Sequence, residues 1–302
     1  TQSRSSAASD VYKRQDLALA KEDDVLKLWQ GLGYYSRARN LYATAQFIHF
    51  EYNGIFPSTF NELLKLKGVG DYTASAIASI SFNIPEAVVD GNVYRFLSRY
   101  FGIETPINSS AAQKEFKAKA MELIDVSQPG DFNQALMEFG STQCIPRSPN
   151  CVVCPFAAEC VAYNQNKIHL LPVKTNKIKI RKRYFNYLVV LDSQGKCLME
   201  QRTEKGIWQQ LYQFPLVESK TRIMTSSKLI HHEAFPSKLK SEVNQVTLWN
   251  TEPIVHKLSH QALWVHFWVL DYKETLPEGY AIDSLQKFAV PVVIQKFMAN
   301  FF

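Results

Sequence analysis

Four of the chain's five cysteines, Cys144, Cys151, Cys154 and Cys160, fall in one short loop that also carries Pro146, Pro149 and Pro155. The N-terminus has no basic-then-apolar export segment, so these thiols are expected in a reducing compartment. There, clustered cysteines act as thiolate ligands to a metal rather than as disulfides. Structural zinc sites favour two tight pairs, whereas this run has a single C-x2-C pair flanked by lone cysteines at x6 and x5. A cubane iron-sulfur cluster needs four thiolates converging from around it, which one self-wrapping loop can supply. The spacing favours iron-sulfur, with zinc as the alternative. Cys197, in a strand-like run, reads as an ordinary packed residue.

A second group of residues has the types needed to approach a phosphate group. Thr59 and Glu62 have the spacing of a capping box, opening a helix expected to run through Leu63, Leu64 and Leu66. That helix breaks at Gly68-Val69-Gly70 and a second begins at Tyr72, a helix-hairpin-helix pattern. The two glycines allow close backbone approach to a ligand, and the N–H groups opening the second helix suit a phosphate oxygen; the competing reading is a plain tight turn. Asp90 stands before a helical stretch containing Asn92, either as an N-cap or as a carboxylate facing a developing positive charge. By pattern alone, Glu138 reads as a helix-surface residue, Tyr34 as core packing beside a Gly-broken helix, and Ser259-His260 as loop surface.

The elements that would carry these residues divide into two styles. Before residue 166, apolar residues recur at helical spacing, as in Val25, Leu28, Trp29 and Leu32, or Phe132, Ala135, Leu136 and Phe139. After residue 183 the chain reads as strands and turns: Tyr184 to Leu191 with Lys196 to Glu200 as a hairpin, and Ala262 to Leu270 as a further β-rich run. Between them, Lys167 to Arg183 holds seven of the 34 basic residues and none of the 28 acidic ones, so the net charge of +6 is concentrated there. Such a run is a solvated linker or the footprint of a nucleic-acid binder. No apolar run is long enough to span a membrane. The organisation expected is therefore a leader over residues 1–15, Ser-rich, aperiodic and read as foreign; a helical domain over 16–165 with the cysteine loop at 144–160; a basic linker over 166–183; and an α+β domain over 184–302.

Taken together, the Gly-Val-Gly-Asp-Tyr-Thr-Ala hairpin, the Asp about twenty residues later and cysteines spaced x6, x2 and x5 resemble the iron-sulfur branch of the helix-hairpin-helix DNA glycosylases. Endonuclease III-type members carry a Lys where Tyr72 stands, and a tyrosine cannot form a Schiff base with the opened sugar. Trp29-Gln-Gly-Leu-Gly-Tyr34-Tyr-Ser-Arg is similar to the signature of the MutY-type adenine glycosylases. That resemblance implies that Tyr34 wedges beside the damaged guanine and that Glu138 contacts the flipped adenine. Gly206 to Pro215 resembles the entry to a Nudix fold. The chain beyond it offers Glu218 and Glu233 rather than the hydrolases' dense glutamate cluster, so this domain is expected to read a lesion, not to hydrolyse a nucleotide. The family's Phe-Ser-His reading loop matches Leu258-Ser259-His260, where Leu gives up any aromatic stacking.

The resemblance covers the chain from about Asp16 onward. It implies a monofunctional base-excision-repair enzyme that removes adenine opposite 8-oxoguanine or guanine in double-stranded DNA, carries a [4Fe-4S] cluster on Cys144, Cys151, Cys154 and Cys160, and works as a monomer in a bacterial, nucleoid-associated setting. Asp90 is then the sugar-side carboxylate, oriented by Tyr72 and Asn92, with Gly68, Gly70, Tyr34, Ser259 and His260 on the DNA. The family's proton-donating Glu has no counterpart in this sequence, so the chain is expected to be inactive as written. Alternatives are a non-catalytic damaged-DNA-binding module, an endonuclease III-like glycosylase and a zinc-containing transcription factor.

Overall fold

The computed structural model describes residues 14–175 and 180–302. The chain divides into two compact units, one running from Phe47 to Lys177 and the other built from the described residues to either side of it.

The first described elements are α1 (Arg14–Leu19), α2 (Glu22–Leu28) and α3 (Tyr35–Glu51). Acidic Glu22, Asp23 and Asp24 fill the first turn of α2, where the exposed N–H groups favour negative charge. Leu26, Tyr35 and Ala38 from this region share one buried core with Phe185, Tyr187, Val189, Phe267 and Phe297 of the C-terminal sheet.

The central unit is helical: α4 (Phe60–Leu63), α5 (Asp71–Phe82), α6 (Gly91–Phe101), α7 (Ser110–Leu123), α8 (Pro129–Thr142) and the short α9 (Val161–Asn164). The capping box forms as its spacing requires, with Glu62 N–H donating to Thr59 Oγ1 at 3.3 Å and Thr59 N–H to Glu62 Oε2 at 3.4 Å. The helix it opens is shorter than expected and ends at Leu63. Lys65 and Leu66 donate to carbonyls three residues back, a tightened winding that leads into Gly68 at φ +80°. Two apolar clusters hold this unit, one around Leu97, Phe116 and Leu136 and one around Ile48, Leu63 and Ala74.

The other unit is organised by a mixed sheet. Its strands are β1 (Arg181–Leu191), β2 (Lys196–Cys197), β5 (Leu216–Ser219), β6 (Val243–Leu248), β7 (Ile254–Lys257), β8 (Gln261–Tyr272) and β9 (Tyr280–Ala281), with β3 (Glu200–Gln201) and β4 (Tyr212–Gln213) forming a separate pair. The β1–β2 hairpin appears where the turn residues placed it, Asp192 Oδ1 accepting from the N–H groups of Gln194 and Lys196 at 2.9 and 2.8 Å. The long β1 and β8 run parallel in the middle of the sheet, from Arg181 opposite Gln261 to Leu191 opposite Asp271. Strands buried on both faces read as near-continuous apolar runs, and Phe185 to Val190 is one. Helices α10 (Ser226–Ile230) and α11 (Ser237–Lys240) cover one face through Leu229 and Leu239, and α12 (Val292–Phe301) packs Phe297 against Phe267 with ring centroids 4.0 Å apart on the other. Cys197 is fully buried in this core, and burial pushes its thiol up to about 12.

Candidate DNA-repair site

In the helical unit, the chemistry gathers at the start of α6. Asp90 is its N-cap: Oδ1 accepts from the N–H groups of Asn92 and Val93, both at 2.8 Å, and Oδ2 accepts from Asn92 Nδ2 at 2.8 Å. Both oxygens are thus fixed in direction while the residue stays partly exposed. Asn92 is fixed in turn, its Oδ1 accepting from Arg95 Nη2 at 2.9 Å. The same Arg95 donates through Nε to the carbonyl of Cys144 at 2.7 Å and through Nη2 to the carbonyl of Gly140. Gly140 is required by this packing: a Cβ there would lie 2.7 Å from the Asn92 carbonyl oxygen and 2.8 Å from Asn92 Cβ.

The segment leading into Asp90 is clamped from two sides. Asn133, fully buried on α8, accepts from Val88 N–H at 2.9 Å and donates to the Glu86 carbonyl at 2.8 Å and Ser79 Oγ at 2.9 Å. Lys117 donates to the Ala87 carbonyl at 2.7 Å and to Ser75 Oγ at 2.6 Å, and pairs with Glu86 at 3.2 Å and Asp71 at 3.6 Å. Of the two residues expected to orient Asp90, Asn92 makes the contact. The Tyr72 hydroxyl instead points to Met137 Sδ at 3.9 Å, with the ring half exposed. Glu138 follows Met137 on α8 and is exposed, as the helix pattern alone suggested. Gly70 caps the N-terminus of α5 with extended backbone, leaving the first N–H groups of that helix available.

The four clustered cysteines line a common cavity with Phe96, Arg99 and Phe156. Arg99, 2 % exposed, laces the loop: Nη1 donates to Cys144 Sγ at 3.4 Å and the Ile145 carbonyl at 2.8 Å, Nη2 to the Pro146 carbonyl at 3.1 Å, and Nε to the Leu171 carbonyl at 3.0 Å. Burial, and then the sulfurs of Cys144, Cys154 and Cys160, push the Cys151 thiol above its ordinary value. Four converging thiolates repel one another unless something cationic lies among them, and an N–H donor to sulfur is the usual companion of a thiolate-held group. Among the described residues, no group of three or more His, Cys, Asp or Glu side chains is arranged to hold a single metal ion. The donor set and its lacing fit a thiolate-bound group.

The other unit holds a cavity of about 530 Å³ between the Gly31 to Arg39 segment and the loop that joins β7 to β8. Tyr34, Ser259 and His260, predicted from separate stretches of sequence, all line it. The ring of Tyr34 is 71 % exposed, and its hydroxyl lies 3.2 Å from Ser259 Oγ. The Arg181 N–H donates to the His260 carbonyl at 3.0 Å and Leu258 N–H to the Gln261 carbonyl at 2.8 Å, so the loop is tied at both ends. Trp208, in the Nudix-like entry segment, is buried at the cavity wall with its ring 5.5 Å from that of His256. Glu218 is committed elsewhere: Arg183 grips its carboxylate with bonds of 2.7 and 2.6 Å, which holds its carboxyl below the usual range.

Comparison with known proteins finds two families along the chain. Residues 7–124 match the helix-hairpin-helix superfamily of base excision DNA repair proteins, and residues 186–300 match the NUDIX domain. The adenine DNA glycosylase of Buchnera aphidicola subsp. Acyrthosiphon pisum is 31% identical over 293 residues, covering 93% of this chain and 79% of that one. The chain belongs to the adenine DNA glycosylase family. The family member of Arabidopsis thaliana is 38% identical over 291 residues, 88% of this chain and 46% of that protein. Among solved structures, a thermostable thymine-DNA glycosylase is 29% identical with a TM-score of 0.51, covering 54% of this chain and 76% of that one. The family's helical and Nudix-like parts are both present, as the sequence implied. No helix among the described residues is long and apolar enough to cross a membrane.

Sequence reasoning missed Arg95, Arg99 and Asn133. The signal for the two arginines was available: four residues apart, they share one face of α6 with Ser98 between them, and both are buried, an unusual place for guanidinium groups unless carbonyls await them. Asn133 carried no such signal, because a lone Asn on a helix has no pattern that marks it as buried.

Proposed function

We propose that the chain is a monofunctional glycosylase that removes adenine paired with 8-oxoguanine, or with guanine, from double-stranded DNA and acts as a monomer. The glycosylase domain is assigned to residues 16–165, the basic linker to 166–183 and the lesion reader to 184–302. The observation that supports the reading is the fixed carboxylate of Asp90, both of whose oxygens are held by hydrogen bonds from Asn92 and Val93 while the residue stays partly exposed. Adenine is a poor leaving group, so it must be extruded and protonated, and the donor of that proton is not among the assigned residues. The C1′–N bond then breaks with its electron pair leaving on the base, water adds at C1′ and gives up a proton. Between these events the sugar carries positive charge, which a carboxylate already held in place stabilises without reorganising.

Glu138 is assigned to the extruded adenine, Gly68 and Gly70 to the phosphates, Tyr34 to the step beside the damaged guanine, and Ser259 and His260 to its edge. Tyr72 borders the sugar from α5, while Asn92 orients Asp90. Cys144, Cys151, Cys154 and Cys160 would hold a [4Fe-4S] cluster. Such a group would cross-link the loop after α8 through its thiolates, and Arg99 of α6 already laces that loop by hydrogen bonds. The same helix begins at Asp90, so the loop also braces the site.

The test uses duplexes bearing, opposite 8-oxoguanine, either a cationic pyrrolidine abasic analogue or its neutral tetrahydrofuran counterpart. The chain should bind the cation more tightly, and Asp90→Asn should abolish that preference. Equal preference in the variant would sink the assignment of Asp90.

A further inference from the structure

The segment that carries Tyr34 is built under strain. Gly33 (φ +69°) and Tyr34 (φ +48°) are consecutive left-handed residues, and at Tyr34 a side chain must tolerate a conformation that favours glycine. The loop before them is closed by Trp29, whose Nε1–H donates to the Gly33 carbonyl at 3.0 Å. The result is a large ring standing mostly in solvent on a tight turn. Something must hold it upright. Its hydroxyl is held by Ser259 at 3.2 Å. The body of the ring is covered by Arg37, whose guanidinium carbon lies 5.5 Å from the Tyr34 centroid and 5.6 Å from the Trp29 centroid. Arg37 N–H also donates to the Tyr34 carbonyl at 2.8 Å, which pins the turn at the first turn of α3. Among the described residues the Arg37 guanidinium has no carboxylate or carbonyl partner, so its structural commitment is to the two rings.

We infer that Arg37 is the positioning residue of the Tyr34 wedge: its guanidinium bridges the faces of Trp29 and Tyr34 and presents the Tyr34 ring to DNA already erect. This rests on the reading of Tyr34 as the residue that enters the duplex beside the lesion. A planar cation between two aromatic faces is attracted by both, by an amount that restricts a ring without burying it. Ordering the ring beforehand removes an entropic cost that DNA binding would otherwise bear. An arginine at this place has a rival use, direct contact with a backbone phosphate, which makes distinct predictions.

The experiment measures binding to duplexes with a tetrahydrofuran abasic analogue opposite 8-oxoguanine, with 2-aminopurine beside the lesion to report stacking. Tyr34→Ala should weaken binding about five- to a hundredfold, the range for loss of one base–aromatic stack. Arg37→Met should weaken it about two- to fivefold, dim the stacking signal, and leave the salt slope unchanged. In the Tyr34→Ala background the same substitution should have no further effect. An equal loss in both backgrounds, or a salt slope smaller by about one, would make Arg37 a phosphate contact and overturn the inference. Unaltered binding by Tyr34→Ala would instead overturn the underlying reading of Tyr34. Should Arg37→Met fail to fold, Arg37→Gln keeps the polar surface, and the same comparison applies.

Discussion

The hydroxyls of Tyr34 and Ser259 lie 3.2 Å apart across 225 residues of sequence. Neither residue announces the other by pattern, yet both were singled out for the same lesion, and they line one cavity with His260. On the proposed reading, Ser259 has two partners to serve, the tyrosine and the oxidised guanine. A Ser259→Ala, His260→Ala double variant should lose discrimination between 8-oxoguanine and guanine duplexes, each lost contact costing about 1 to 3 kcal/mol. Competition binding against the two duplexes reads this directly, and undiminished preference refutes the assignment.

Asp90 caps α6 and, on the proposed reading, also faces the sugar; a pair of substitutions separates the two parts. Asn is as good an N-cap as Asp, so Asp90→Asn should keep the melting temperature of the helical unit while losing the preference for a cationic abasic analogue. Asp90→Ala removes the side-chain acceptors for Asn92 and Val93 and should cost about 0.5 to 2 kcal/mol of stability as well. If Asn keeps both the melting temperature and the analogue preference while Ala loses both, the cap accounts for everything.

The cysteine loop is tested by composition. Anaerobically purified protein should contain iron and acid-labile sulfide and absorb in the visible blue, and Cys144→Ser should lose both together with solubility. Stoichiometric zinc without iron would exclude the cluster.

Gly140 is a contact that no side chain fits. Gly140→Ala pushes a methyl group against the backbone of Asn92 and should cost about 1 to 3 kcal/mol by overpacking. Because Asn92 holds Asp90, weaker binding of the cationic analogue should accompany the loss of stability; urea midpoints and analogue affinities are the two measurements.

The Arg183–Glu218 pair gives a pH signature. Arg183 lowers the folded-state value of Glu218, so the stability it confers is present above the ordinary carboxylate range and drains away as pH falls through that lowered value. Arg183→Met should flatten this part of the acid limb in a series of urea midpoints. An unchanged limb would show that the pair is too exposed to matter.

Much of this architecture could be read in the sequence because it is written in local signals. The capping box at Thr59 and Glu62, the hairpin glycines, the Asp192 turn and the cysteine spacing each depend on residues a few positions apart. What escaped is long-range. Arg95 finds the Cys144 carbonyl 49 residues away, and Asn133 finds Val88 45 residues away, partners set by packing rather than by periodicity. Tyr72 was expected beside Asp90 and turns to Met137, since the pitch of α5 and its packing on α8 decide where that ring goes. The early end of the helix after Thr59 reflects the left-handed Gly68, whose conformation the bare sequence permits but does not dictate.

The parallel pairing of β1 with β8 also sets an order of assembly. Strand β1 cannot find its neighbour until the chain has been made as far as Tyr272, and the loop at Ser259 and His260 takes its shape only when Arg181 meets the His260 carbonyl at the first rung of that ladder. Pairings so distant along the chain form slowly, after their loop entropy has been met. The helical unit, which runs from Phe47 to Lys177, is synthesised well before Tyr272. During synthesis, then, the carboxylate of Asp90 can be capped onto its helix before Ser259 and His260 have taken their places.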